Sequence, residues 1–489
     1  MIPILGFLPD ADPSIPGVLT FCQRLLPTQR GMESAPTQAD AIIAQPALAD
    51  FCRGAKTVYN TLGVSRTFAG TQTKLYELTP PTWTDIGRGA AYTGTTISRW
   101  QFAQFGNIAL AANYQDVIQA STGASFADVA TAPKAKVLFA SKDLVIAMNT
   151  NDATFGAVPD GWWCSAFQDY TSWTPSLTTS AARGRLIGVT GPITAGLMLG
   201  TYAVAYKARG TYVGQVQIGV AGTIQWDQIP GEFGCVGPEA VADIGGAHFV
   251  VGPDNFWIFD GTRPTPVGQN EVREWFYTKA STQDLYRTIV HFDQQSARVW
   301  VLFASPGANT DAVDSALIYD LRSKRWGICD DQVAAAFQFT APGITYGNFA
   351  TLGPTWADLE ARGVANDSPL LRPEGRVMAV FNRSKALQSM SGPPSTGYLA
   401  TGDFGVDGRS SYTDELLIHF ATNPSGESFA SGFTKDTAGG ELTGVDLQPL
   451  SDGKYDLRQS GRWHRYSMNF AGTFELVSID PQLKAEGAR

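Results

Sequence analysis

The sequence predicts an all-β chain built as an irregular β-propeller of about six blades, with an extended N-terminal arm and a β-rich C-terminal region. Three observations predict this fold class. The 489 residues include 51 Gly and 28 Pro but only 17% charged residues, which is typical of many short strands joined by tight turns. Hairpin patterns occur close together in the middle of the chain, and strand motifs recur at intervals that suit propeller blades.

The clearest strand patterns lie between Gly188 and Gly268. Within Thr201–Gly219, two runs of alternating apolar residues flank Lys207–Gly210, which predicts a β-hairpin. A second hairpin is predicted for His248–Asp260, because Pro253–Asn255 combines the fixed φ of Pro with the left-handed tolerance of Asn. Each small sheet must bury its faces on its neighbours, so serial hairpins favour a propeller.

A repeated strand, turn and strand plan supports the prediction of blades. Three segments start with a short alternating strand and pass through a polar turn to an aromatic residue that begins the next strand: Lys74–Gly87, Asp116–Val129 and Ala316–Cys329. Related strand positions along the chain lie about 42 to 50 residues apart, the usual length of a four-stranded blade.

Changes in this pattern predict three regions. Residues 1–66 are rich in Pro and have few strand-length apolar runs, so they are expected to form an extended arm whose apolar side chains cover another surface. Residues 67–405 are expected to form the propeller, with a Gly- and Pro-rich insertion around 341–373. Residues 406–489 alternate well and are expected to close the propeller or to form a small sandwich.

Helical patterns are scarce. A short helix is predicted for Asn270–Tyr277, with Asn270 as its N-cap, and another for Pro354–Arg362. Neither is long enough to build a helical layer, so the fold class remains all-β.

Composition also bounds the function. The net charge of −9 and pI near 5.1 oppose tight wrapping of a phosphate backbone, and they fit either ordinary solubility or a surface past which nucleic acid slides. The five Cys are scattered, which predicts buried thiols in a reducing compartment. The N-terminus has no signal-peptide pattern, and the most apolar window, Ile193–Tyr206, is too short to span a membrane. We therefore expect a soluble, non-secreted protein.

One segment resembles a catalytic motif. Ser165–Trp173 is similar to the Asp box of sialidases, but Asp169 lies four residues after Ser165, no Gly lies between Asp169 and Trp173, and the motif occurs once. A structural turn is the preferred interpretation. The aromatic residues Trp162, Trp163 and Trp173 could stack on sugars or bases, although their place in strand patterns favours core packing.

The remaining candidate ligands do not form a recognisable site. The histidines stand singly in strand patterns without metal-ligand spacing; they are His248, His291, His419 and His464. Asp403 and Asp407 lie near a Gly-rich turn that could hold Ca²⁺, but the ligand pattern of a calcium loop is absent and an Asx-turn is preferred. The basic cluster of Arg462, His464 and Arg465 is expected to pair with carboxylates of a neighbouring subunit.

No nucleophile-elbow, P-loop or dinucleotide-binding motif occurs in the sequence. We therefore assign no catalytic, cofactor-binding or metal-binding residue, predict no cofactor, and expect a protein that is not an enzyme.

In their order along the chain, several segments together resemble the tail nozzle proteins of short-tailed bacteriophages, which are also called tail hub, tubular or stabilisation proteins. The resemblance runs from about Phe7 to Arg489 and is weakest between Ala341 and Gly405. It is carried by FLPDADPSIPG, LLPTQRGMESAP, KLYELTPPTWTDI, QFAQFGNIALAANYQDVIQ, GWWCSAFQDYTSWTP, TYAVAYKARGTYVGQ, HFVVGPDNFWIFDGTRPTPVG and SGRWHRYSMNFAGTFELVSIDPQLKAEGAR.

This resemblance implies a structural virion protein, a subunit of a hexameric ring below the portal and the adaptor. Such a ring forms part of the genome-ejection channel and helps to retain packaged DNA, which passes without specific binding. The arm of residues 1–66 is then a candidate for docking on neighbours, and tail fibres or a needle are further candidate partners. The expected location is the virion tail, assembled in the cytoplasm of the host bacterium.

Two alternatives stay open at this point. One is a propeller-type glycan-binding protein or glycosidase of a phage tail, which would use Trp side chains and carboxylates at the propeller face. The other is a solitary bacterial propeller that binds peptides.

Overall fold

Short antiparallel strands make up almost all of the regular structure. The structure is a computed structural model that describes residues 1–42, 45–340, 355, 357–358, 376–406, 408–444 and 446–486. The predicted insertion around 341–373 and most of the predicted helix Pro354–Arg362 lie outside the described residues.

The N-terminal segment contributes strands β1 Ile2–Pro3, β2 Gly6–Phe7, β3 Val18–Gln23, β4 Leu25–Pro27, β5 Met32–Ser34 and β6 Thr37–Asp40. The next two sheets comprise β7 Ala55–Tyr59, β8 Ser65–Gly70, β9 Leu75–Thr79 and β10 Thr82–Asp85, then β11 Gln101–Phe105, β12 Ile108–Ala112, β13 Gln119–Ser121 and β14 Ala127–Asp128. Each of these sheets is an antiparallel meander, because short turns join successive strands.

Three further meanders follow. They comprise β15 Lys134–Ala140, β16 Val145–Asp152, β17 Gly156–Cys164 and β18 Ala182–Arg185, then β19 Ile193–Leu199, β20 Tyr202–Lys207, β21 Gly210–Val216 and β22 Ile224–Ile229, then β23 Val241–Asp243, β24 His248–Val251, β25 Phe256–Phe259 and β26 Pro264–Val267. Both hairpins predicted from local alternation are present, as β20 with β21 and as β24 with β25.

The α-helix α1 Arg273–Lys279 and a 3-10 turn Leu285–Arg287 follow. The next blade consists of β27 Ile289–Asp293, β28 Arg298–Phe303, β29 Ser315–Asp320 and β30 Arg325–Cys329. The last blade contains β31 Val333–Thr340, β32 Arg376–Asn382 and β33 Leu387–Gly392. Strand β6 pairs with β33 and supplies the fourth strand of the last sheet. Six separate four-stranded sheets thus stand around the axis, and β27–β30, part of a larger sheet, complete the ring. The predicted all-β propeller is confirmed.

The helix α1 differs from its prediction. It begins at Arg273, and Asn270 lies outside it with a φ of 58°. The carboxylate of Asp10, from the N-terminal segment, accepts hydrogen bonds from the backbone N–H groups of Glu274 and Trp275 at 2.6 and 2.9 Å. A distant residue therefore satisfies the first helical donors, which the local sequence could not reveal.

The C-terminal strands are β34 Gly397–Thr401, β35 Phe404–Gly405, β36 Ser411–Thr422, β37 Ser428–Lys435, β38 Thr443–Gly444, β39 Gln448–Pro449, β40 Lys454–Gly461, β41 Trp463–Phe470 and β42 Glu475–Ala485. In the large sheet, β27–β30 continue through β4, β5, β42 and β36 to β40, with β1 beside β42. The second sheet runs β2, β3, β34, β41, β37 and β38, with β35 and β39 at its sides. The two sheets pack together as a sandwich around a shared apolar core that also reaches the propeller.

The N-terminal segment is therefore part of the chain's own body. The strand Leu25–Pro27 pairs with Ile328 and with Met32–Ser34, and β6 closes the last blade. The predicted boundary after residue 66 falls inside β8, and the sandwich draws its strands from both ends of the chain. Several of the apolar side chains expected to need a cover are buried within the molecule, such as Phe7 and Leu25 at 1% and 0% exposure, whereas Phe21 is 49% exposed.

Candidate functional site: the central channel

The first strand of each blade lines a central channel. Strands β7, β11, β15, β19, β23, β27 and β31 contact one another in this order, and β31 closes the ring against β7. All of them contribute to the wall of a cavity of about 560 Å³. This volume lies within the range of small-molecule sites, roughly 300–1,000 Å³. The channel is therefore the candidate functional site.

Side chains satisfy the free edges of the inner strands. The side-chain amide of Gln104 accepts a hydrogen bond from the backbone N–H of Tyr59 at 3.1 Å, and it donates one to the backbone carbonyl of Tyr59. The ammonium of Lys56 donates to the carbonyl of Phe102 at 3.0 Å. An inner strand has a pairing neighbour on one side only, so such bonds replace a missing strand.

An ion pair lies at the end of the channel where the inner strands begin. Arg99, just before β11, donates through Nε to the carboxylate of Glu239 at 2.7 Å and through Nη1 to the carbonyl of Ala334 at 3.0 Å. Glu239 precedes β23, on the opposite side of the ring, and its own carbonyl accepts from the backbone N–H of Val290. These contacts cross the axis and narrow this end of the channel.

Two cationic side chains line the cavity. Within the described residues, neither Lys56 nor Arg376 has a carboxylate within ion-pair distance, and each lies on the cavity wall. Protein surrounds Lys56, so burial lowers the pKa of its ammonium group, although the side chain stays open to the cavity. The guanidinium of Arg376 lies 5.0 Å from the centre of the Tyr59 ring, at the other end of the channel from Arg99.

The wall of the cavity also includes His291. Its Nε2 is buried and has no hydrogen-bond partner in the described part of the chain. Burial lowers the pKa of this imidazole to about 4, and the nearby Asp293 opposes the shift only weakly, so the ring is neutral at pH 7. Of the carboxylates on the wall, Glu239 is held by Arg99, and Asp243 accepts from the backbone N–H of Gly245.

The segment similar to an Asp box forms a turn. The carboxylate of Asp169 accepts from the backbone N–H and hydroxyl of Thr171, and Trp173 donates from its indole to the carbonyl of Tyr170. Trp162, Trp163 and Trp173 are all buried, at 4%, 9% and 0% exposure, so none of them offers a face to a ligand. The preferred interpretations of this segment agree with the structure.

The other histidines lie apart from one another. His248 is buried, with Nδ1 2.8 Å from the hydroxyl of Tyr206 and Nε2 3.0 Å from the carbonyl of Met198. His464 is hydrogen-bonded to the hydroxyls of Ser411 and Thr413 across the sandwich. His419 lies half-buried in β36. In the described part of the chain, no three His, Cys, Asp or Glu side chains gather closely enough to hold a metal ion.

Asp403 is committed to an ion-pair network inside the sandwich. Its Oδ2 lies 2.6 Å from Nζ of Lys435, and its Oδ1 accepts from Nε of Arg465 at 2.8 Å. Arg465 was expected to pair with a neighbouring subunit, and this prediction is wrong, because its carboxylate comes from the same chain. Asp407 lies outside the described residues, and Arg462 is exposed.

The five cysteines are free and buried. Burial raises the pKa of the thiols of Cys52, Cys164 and Cys235 to about 12, so they remain protonated at neutral pH. Among the described residues, no helix combines the length and apolar character that crossing a membrane requires.

Sequence reasoning missed the residues that line the cavity. Lys56 lies in a segment that was interpreted as an arm, and His291 and Arg376 stand alone in unremarkable strands. Position in the blade is a usable signal for Lys56 and His291, because each lies in the first strand of a blade and these strands line the channel. It does not apply to Arg376, which begins the second strand of the last blade.

No known protein family model matches the chain, and no curated protein matches it in sequence. Solved structures that are similar to parts of it include two of YCF48. YCF48 from Cyanidioschyzon merolae is 12% identical, with a TM-score of 0.28, covering 56% of this chain and 97% of that one. YCF48 bound to D1 peptide is 10% identical, with a TM-score of 0.37, covering 73% of this chain and 99% of that one.

Proposed function

We propose that this protein is a structural subunit of the ring-shaped tail nozzle of a short-tailed bacteriophage, located below the portal and the adaptor. In this proposal, sister copies form a hexameric ring, the packaged genome is retained behind it, and the DNA leaves through it. The ordered motifs along most of the chain support the family, and the propeller joined to a sandwich is consistent with it.

One observation carries the assembly part of the proposal. On the outward face of the second sheet, Phe21 of β3 and Tyr398 of β34 are 49% and 42% exposed, whereas their neighbours Cys22 and Leu399 are buried. Register places Gln23 opposite Tyr398, so the two aromatic residues lie on adjacent strands of one face. Exposed aromatic side chains at such spacing favour a protein contact, which the ring would supply.

In this proposal the DNA does not pass through the propeller of one subunit, because side chains cross its central channel. Because Arg99 and Glu239 cross the channel of a single subunit, a duplex would pass through the space between subunits. The net charge of −9 suits a lumen that repels phosphate and keeps the passing DNA mobile. An electron-microscopy map of the ring with a lumen lined mainly by Lys and Arg would contradict this part of the proposal.

Light scattering after size exclusion tests the assembly, with and without the adaptor. We expect the wild-type chain to form rings and the double variant Phe21→Ser, Tyr398→Ser to remain monomeric with unchanged circular dichroism. Tyr202→Ser is the matched control, because Tyr202 is 46% exposed but lies in a blade. A wild-type monomer that binds or hydrolyses host polysaccharide would instead support the glycan-binding or glycosidase alternative.

A further inference from the structure

The two cationic and the two carboxylate side chains on the wall of the central cavity differ in their partners. The carboxylates of Glu239 and Asp243 already have partners, in Arg99 and in the backbone N–H groups of Gly245 and Gly246. Among the described residues, Lys56 has one hydrogen bond, to a carbonyl, and no ion pair. An ammonium group has three donors, so two donors of Lys56 remain available inside the cavity.

Two further donors share this wall. The guanidinium carbon of Arg376 lies 5.0 Å from the centre of the Tyr59 ring, and within the described residues its N–H groups have no hydrogen-bond acceptor. A guanidinium edge can bind an anionic oxygen through two N–H groups. His291 also lies on the cavity wall, and its buried Nε2 has no partner in the described residues. The neutral ring can carry its proton on this nitrogen and donate it to a ligand. A buried polar atom without a partner destabilises the protein, and a bound ligand that supplies the partner would remove this cost.

We propose that the central channel is a binding site for a small organic or inorganic anion, held through carboxylate or phosphate oxygens by Lys56, with Arg376 and His291 as further donors. The volume of about 560 Å³ admits a small molecule and not a macromolecule. Apolar wall residues such as Leu138, Met198 and Ile289 would contact the remainder of an organic anion. The site lies within a single subunit, so it does not depend on assembly of the hexameric ring.

Isothermal titration of the whole protein tests this proposal. One arm uses sodium phosphate and the other sodium citrate, each compared with sodium chloride at equal ionic strength. We expect one saturable site per chain for at least one of the two anions, and the stronger binder identifies the class of oxygen group. Heats that match chloride for both anions would overturn the proposal.

Substitutions locate the site. Lys56→Met keeps the length of the side chain but removes its charge, and we expect it to weaken binding by about tenfold or more. Lys142→Met is the matched control, because Lys142 is exposed in the turn between β15 and β16, and it should bind as the wild type does. Equal affinities of Lys56→Met and the wild type would refute the assignment.

A second measurement does not rely on the folding of a variant. Lysine side chains can be dimethylated with ¹³C, and burial lowers the pKa of three of them, Lys56, Lys136 and Lys207, of which Lys56 lies on the cavity wall. Saturating anion should raise the pKa of Lys56 and leave those of Lys136 and Lys207 unchanged, because a nearby negative charge favours the ammonium form. An unchanged Lys56 titration at saturating anion would show that the anion binds elsewhere and would overturn the proposal.

Discussion

Arg99 and Glu239 join opposite sides of the propeller, with Nη2 of the guanidinium 2.6 Å from Oε2 of the carboxylate. Two inner strands, β15 and β19, lie between them on one side of the ring, and β27, β31 and β7 lie between them on the other. Both side chains are only about one-fifth exposed, at 19% and 20%. The pair therefore stabilises the ring as a whole, in addition to narrowing the channel.

Replacing Arg99 by Met should destabilise the fold by about 1–3 kcal/mol, because the carboxylate of Glu239 would remain largely buried without its partner. The midpoint of urea unfolding, followed by tryptophan fluorescence, measures the loss. Arg185→Met is a suitable control, because Arg185 is 63% exposed and its ion pair with Asp160 lies at the surface. Equal losses of stability in the two variants would show that the pair across the channel stabilises the fold no more than a surface ion pair does.

Asp331 should make stability depend on pH. Burial raises its pKa to about 6, while Arg24 lowers it less, and its Oδ2 has no partner in the described residues. An unfolded Asp has a pKa of about 3.9, so between these two pKa values the folded form binds more protons and the free energy of unfolding falls as pH rises. Asp331→Asn should therefore be more stable than the wild type at pH 7–8, with an advantage that disappears at about pH 4.

Thermal unfolding midpoints across this pH range provide the check. The neighbouring Asp330→Asn is the control, because Asp330 pairs with Arg24 at 2.6 Å and its loss should destabilise the protein at neutral pH. A pH-independent gain in Asp331→Asn would show that ionisation of this carboxyl is not the cause.

Local patterns predicted the blades well, because a hairpin is specified by residues that are adjacent in sequence. The pair β20 and β21 is an example: it alternates and turns within Tyr202–Val216. No local pattern in the sequence marks the strand pairs that join distant segments. Leu25 meets Ile328, and Gln38 meets Met390, and nothing in the sequence near either residue marks its partner. Because these long-range pairs were not recognisable, the N-terminal segment was expected to dock on neighbouring molecules.

The site was less predictable than the fold. The cavity forms between the first strands of all the blades, which are distant in sequence and surround it only when β31 closes the ring against β7. Lys56 was assigned to the arm because the boundary was placed one strand too late. The single Lys, His and Arg that meet at the cavity are distant in sequence, so spacing rules for catalytic or metal motifs cannot detect them.

Deleting residues 1–42 should prevent folding, because the deletion removes β6 from the last blade and β4 and β5 from between β30 and β42. A milder variant, Leu25→Ala, removes a fully buried side chain and should cost about 2–5 kcal/mol. Soluble yield and thermal midpoint measure both effects. A soluble, cooperatively folded deletion variant would restore the interpretation of this segment as a separable arm.

Asp403→Asn should be among the most destabilising single changes in the sandwich. The Asp403 and Lys435 side chains are 5% and 7% exposed, so the variant would leave a buried ammonium without its carboxylate, at a cost of about 3–5 kcal/mol. Asp414→Asn, which breaks an exposed pair with Lys484, should leave the urea midpoint unchanged. If Asp403 were a calcium ligand, Ca²⁺ would stabilise the wild type but not the variant; because Lys435 and Arg465 already occupy both of its oxygens, we expect Ca²⁺ to stabilise neither.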